Sequence, residues 1–240
     1  MTRLSDSSQK VRIWDAPVRV FHWLLVFCFF GAYFTSEGER WRLVHVTLGY
    51  TLGGLLLFRL VWGFIGTRYA RFGSFVRGPA AVLRYLKSLR TAQPEHHLGH
   101  NPAGAVAILL LLAMGLVLVA TGYATYNDIG PGWLSEVHEL MGNGMLLVVF
   151  VHLLGVVSAS WQHRENLARA MVTGYKNGKP EQGIQRTWAV VAIAILAAVL
   201  FFWWQQWQNA PQGDAQVGVQ DSEQMEHVAN STRKGEESEH

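Results

Sequence analysis

The 240-residue chain has one cysteine, Cys28, and only 15% of its residues are charged. A lone cysteine excludes an internal disulfide and a two-cysteine covalent attachment site for a cofactor. Charge is thinnest in five apolar stretches, 20 to 36, 43 to 65, 103 to 124, 135 to 159 and 187 to 207, whose carboxylates are limited to Glu136 and Glu139 at the mouth of the fourth. A proton or metal pathway through lipid expects carboxylates deeper than that, which ranks a transporter last among the functions considered. Residues 1 to 19 are polar, and no small-residue cleavage pattern follows the first apolar run, so that run is expected to be a retained helix and not a signal peptide.

What is present is apolar and aromatic: half the residues are hydrophobic, and ten are tryptophan. A helix crossing the hydrocarbon needs about 20 largely apolar residues, so the five stretches predict five spans. The fold class expected is all-α and integral to the membrane, with four transmembrane spans within 20 to 160 and a fifth C-terminal transmembrane helix at 187 to 207. Around them lie an N-terminal segment, 1 to 19, a loop, 161 to 186, and an acidic tail, 208 to 240, expected to be disordered and to lie outside the cytoplasm.

The basic residues sit in particular loops. Arg3, Lys10, Arg12 and Arg19 precede or open the first span, six Lys or Arg fall in 67 to 102, and five in 160 to 186, while 125 to 134 has none. The positive-inside rule then places the N-terminus in the cytoplasm and the C-terminus outside. This charge pattern reports topology and argues against a nucleic-acid partner. The short link from Glu37 to Arg42 makes the first two spans antiparallel neighbours. In the long loop, Val82, Leu83, Leu86 and Leu89 share one face of a helix expected over 79 to 89, as for a helix lying on the membrane surface. Asn101 followed by Pro102 is a helix start signal.

Four histidines lie in or at the ends of the spans, at two depths. His22 is in the inner third of the first helix and His152 in the inner half of the fourth; His45 and His138 open the second and fourth at the outer side. His138 and His152 are fourteen residues apart, a rise of about 21 Å and a net turn of roughly 40°, so both face nearly the same way. A haem iron takes imidazoles from opposite sides of the macrocycle, which facing helices of a bundle supply. Matching depth pairs His45 with His138 around an outer haem b and His22 with His152 around an inner one, both held noncovalently. For His45 and His138 alone, the competing reading is an interfacial histidine that keeps one nitrogen wet.

Arg59, the other charge inside a span, lies near the depth of His22 and His152 and suits a haem propionate, or else snorkels to the inner headgroups. Arg19 and Arg42 are weaker propionate candidates. Gly49, Gly53 and Gly142 follow the outer ligands at helical spacing and could clear room for a macrocycle, pack helices together, or both. His96, His97 and His100 are read as a solvated loop, and His163, His227 and His240 as surface residues.

These residues resemble a known family. Trp14-Asp15, Arg19, Phe21-His22-Trp23, His45 with Gly49-Tyr50, Arg59 through Gly66, Gly99-His100-Asn101-Pro102-Ala103-Gly104, and the pair His138 and His152 together are similar to the bacterial cytochrome b561 type, including the b-type cytochrome subunits of nickel-iron hydrogenases and formate dehydrogenases. The resemblance covers about residues 10 to 180 and implies a four-helix transmembrane haem-binding bundle with two haems over 20 to 160, in the bacterial inner membrane. It further implies electron exchange between a membrane quinone and a redox partner such as a c-type cytochrome or a dehydrogenase or hydrogenase subunit. No catalytic side chain is expected. A stand-alone haem oxidoreductase acting on a small species such as superoxide is the alternative.

Overall fold

A computed structural model describes residues 9–89, 91, 95 and 97–210. The basic residue Arg3, the histidines 96, 227 and 240, and the tail expected to be disordered from 211 onward lie outside the described residues. Five helices are long and apolar enough to cross a membrane, and they coincide with the five expected runs: α1 (Ala16–Phe34), α2 (Arg42–Ile65), α5 (Pro102–Tyr126), α6 (Trp133–His163) and α8 (Ala189–Gln208). Three shorter helices, α3 (Phe72–Phe75), α4 (Pro79–Ser88) and α7 (Leu167–Thr173), belong to the connections. The chain divides into a unit reaching Phe201 and a second beginning at Phe202, within the last turns of α8.

Helix ends follow local chemistry. The first span begins four residues before the expected 20, because Asp15 caps α1 by accepting from Val18 N at 2.8 Å and Pro17 suits the first turn. Asn101 caps α5 as expected, its Oδ1 accepting from Gly104 N at 2.6 Å. At 31 residues, α6 is about 46 Å long against a hydrocarbon thickness of about 30 Å, so it projects beyond the bilayer. α1 packs on α2, α2 on α5 and α5 on α6. Tyr33 Oη donates to Asn143 Oδ1 at 2.9 Å and joins α6 back to α1, closing a four-helix bundle. Leu83 and Leu86 of α4 are exposed while Tyr85 is buried, so the short helix turns its ring inward and offers leucines outward.

One element departs from an all-helical chain. Residues Gln9–Arg12 form β1, antiparallel to β2 at Tyr175–Gly178, with Gln9 opposite Gly178 and Arg12 opposite Tyr175. The ribbon continues through Ile13 N donating to Gly174 O and Ile184 N donating to Arg12 O, each at 2.8 Å. Beneath it Val11, Ile13, Trp14, Val18, Trp62, Ala70 and Ala170 form a buried cluster. Lys176 Nζ pairs with Glu165 Oε2 at 3.0 Å and donates to His97 O at 3.3 Å, and Tyr69 Oη donates to Gln182 O at 2.8 Å. All three basic segments are thereby bound together on one side of the bundle.

Asp15 is the knot of this side. It is 1% exposed, and besides capping α1 its Oδ2 accepts from Trp62 Nε1 at 3.1 Å and Thr67 Oγ1 at 2.6 Å, tying the start of α1 to the end of α2. Asp15→Ala leaves the indole and hydroxyl without their acceptor and removes the cap, a loss of about 2–4 kcal/mol. Denaturant titration of the purified protein checks it; an unchanged midpoint contradicts this role.

Candidate functional site

The outer pair is built by all four helices of the bundle. His45, in the first turn of α2, places Nδ1 2.8 Å from Ala32 O of α1, and His138 of α6 places Nδ1 2.9 Å from Leu118 O of α5. A carbonyl can only accept, so each Nδ1 carries the proton and each Nε2 keeps its lone pair for a metal. The ring centroids are 6.0 Å apart with planes at 80°. Two imidazoles on opposite sides of one metal, each bonded at about 2 Å, have centroids separated by roughly this distance. Both Nδ1 atoms are engaged with backbone, which leaves one nitrogen of each ring, Nε2, for a metal or for water.

Gly122 of α5, which sequence reasoning missed, makes room for this arrangement. A Cβ there would lie 2.7 Å from His138 Cε1 and 3.0 Å from Nδ1. Its only sequence signal is a small residue in an apolar helix at the depth of His138, one glycine among several. The glycines that were singled out divide: a Cβ on Gly53 would strike Val119 at 2.9 Å and one on Gly142 would meet Leu118 at 3.8 Å, both helix contacts, whereas Gly49 has open space. Arg42, a weaker propionate candidate, sets its guanidinium 5.7 Å from the Tyr126 ring.

At the inner level, His22 of α1 and His152 of α6 are both partly buried. Among the described residues they do not reach the ring-to-ring contact of the outer pair. Nδ1 of His22 is sealed from solvent without a hydrogen-bond partner, as is Nη1 of Arg59. Arg59 is 4% exposed, with its guanidinium carbon 4.8 Å from the Phe72 ring centroid and 6.0 Å from that of Phe75, so it does not snorkel into solvent. Arg19 donates to Val172 O at the end of α7, a helix-terminal contact that engages it with the protein.

The expectation of a solvated histidine loop is wrong for His100. Its ring lies between Trp14 and Phe75, at centroid distances of 4.5 and 4.6 Å, and its Nδ1 is sealed without a partner. Burial, followed by the positive charge of Arg59, pushes its pKa down to about 3. His97 is half-buried, stacked edge-on with Tyr85 at 5.7 Å, and His163 is the partly exposed last residue of α6.

No group of three His, Cys, Asp or Glu able to hold a bare metal ion occurs among the described residues. Paired imidazoles with a free Nε2 therefore fit a metal that brings its own equatorial ligands, as haem does. A multi-pass membrane protein built in this way falls in the class of b-type membrane cytochromes.

Residues 13–174, about two thirds of the chain, match the family model described as prokaryotic cytochrome b561, and the chain belongs to that family. Curated relatives agree. A probable Ni/Fe-hydrogenase 1 B-type cytochrome subunit of Escherichia coli (strain K12) is 29% identical, over 75% of this chain and 96% of the relative. Probable Ni/Fe-hydrogenase B-type cytochrome subunits of Azotobacter vinelandii and Rhizobium leguminosarum bv. viciae are 29% and 26% identical, over 74% and 69% of this chain and 95% and 88% of theirs. No solved structure matches significantly.

Because Gly122 leaves just enough room for the His138 ring, Gly122→Val should displace that ring and lower the haem content of the purified protein. Gly54→Ala, which adds a methyl in open space, should leave it unchanged. Equal haem content in the two variants contradicts the steric role.

Proposed function

We propose that this b-type cytochrome carries two haems, one between His45 and His138 and one between His22 and His152, and passes electrons between membrane quinone and a redox protein. The observation that carries the reading is the outer pair, with its rings 6.0 Å apart and both Nδ1 atoms committed to carbonyls. Haem b, when bound, supplies one-electron chemistry whose potential follows axial ligand, burial and nearby charge. The protein's part is to fix tautomer and ring direction through Ala32 O and Leu118 O and to seal Nδ1 of His22 from solvent. Arg59 keeps a buried positive charge in α2, in line with a propionate contact.

The curated relatives are Ni/Fe-hydrogenase subunits by name, which favours a hydrogenase among the possible partners, ahead of a c-type cytochrome or another dehydrogenase. The three basic segments share one side, and the positive-inside rule makes that side cytoplasmic. His45 and His138 then lie toward the periplasm, near an external donor or acceptor, in a bacterial inner membrane.

The pairs share no residue, so removing one ligand should cost one haem. His152→Ala is expected to hold one haem per chain where the unaltered protein holds two, with the remaining haem low-spin. Haem quantitation with a reduced-minus-oxidised spectrum reads the result; two haems retained refute the pairing.

A further inference from the structure

Arg59 and His100 come from different parts of the chain and meet at one ring. The Phe75 centroid is 6.0 Å from the Arg59 guanidinium carbon and 4.6 Å from the His100 ring centroid. Each carries a nitrogen sealed from solvent with no hydrogen-bond partner: Nη1 of Arg59, always a donor, and Nδ1 of His100, a donor in the tautomer that protonates it. An unmatched buried donor is unfavourable by about 1–3 kcal/mol, and by more when it is charged. The carboxylate nearest to hand, Asp15, already accepts from Val18 N, Trp62 Nε1 and Thr67 Oγ1.

A carboxylate from outside the chain would supply an acceptor for both nitrogens. A cavity of about 520 Å³ has His100 and Phe75, though not Arg59, in its wall, and its lining adds positive charge on the His100 side through Arg68, Arg77 and Lys179 with no carboxylate. A guanidinium and an imidazole N–H that share the Phe75 ring could together match the two oxygens of a carboxylate. Trp14 and Phe75 hold the imidazole between them and set its direction.

We infer that Arg59 and His100 together form the receptor for one carboxylate, a propionate of the inner haem, with His100 as a contact that no part of the four-histidine reading includes. This rests on the assignment of an inner haem to His22 and His152. Its neutral state at ordinary pH makes His100 a hydrogen-bond donor, while Arg59 supplies the charge.

The test uses the full-length purified protein loaded with haem labelled with carbon-13 at the propionate carboxyls, read by redox-induced infrared difference spectroscopy. Both His100→Phe and Arg59→Gln should shift an isotope-sensitive carboxylate band, and His100→Gln, which keeps a donor, should return it toward its original frequency. Losing the guanidinium should also favour the ferric form of one haem by roughly tenfold, equivalent to 59 mV for one electron. Bands unmoved in both variants at full haem content overturn the inference.

If His100→Phe fails to retain the inner haem, the unaltered protein with ring nitrogen-15 histidine decides. A nitrogen–carbon dipolar coupling between Nδ1–H and the labelled carboxyl in solid-state NMR supports the contact, and its absence overturns it. Fewer than two haems on the unaltered chain instead defeats the assignment on which the inference stands.

Discussion

A polar side chain placed between lipid-embedded helices must find a partner there, because water is not available to it. The rest of this bundle is arranged around that constraint. At the outer level the imidazoles of His45 and His138 meet it by giving Nδ1 to the carbonyls Ala32 O and Leu118 O, at the sides of their own helices' neighbours. The same contacts leave two Nε2 atoms without any obligation to the protein. At the inner level the constraint is met only in part, since His22, Arg59 and His100 each retain a sealed nitrogen without a hydrogen-bond partner. The outer site is thus shaped by what the chain satisfies, and the inner one by what it leaves unsatisfied.

Holding the inner residues in place requires a rigid frame at that end, and Asp15 with the β1–β2 ribbon provides it. One carboxylate caps α1 and accepts from the end of α2. The ribbon fastens the segment before α1 to the segment after α7, over a core that includes Trp14 and Trp62. Because Trp14 is also one of the two rings enclosing His100, the frame and the inner site share residues. A lesion in the ribbon would therefore reach the inner site without touching a histidine of either pair.

The spans, the Asn101 cap and the short turn between α1 and α2 were legible because each depends on neighbouring residues: an apolar run, an Asn-Pro step, a six-residue link. The proximity of His45 and His138 was legible because depth along a helix is arithmetic. The ribbon was not, for Gln9–Arg12 and Tyr175–Gly178 are too short to declare themselves and pair across more than 160 residues of chain. His100 was misread for a related reason. Nothing near it in sequence announces burial, which is imposed by Trp14 and Phe75 from elsewhere. Gly122 was missed because its role exists only in relation to the His138 ring on another helix.

The proposal stands on two imidazole couples at two depths, each assigned one iron porphyrin. Electron paramagnetic resonance of the oxidised, purified protein, combined with a haem count, tests this most directly. Two distinct low-spin ferric signals from two haems per chain are the predicted result. A single haem, or a high-spin signal from an iron with an open axial position, would contradict it.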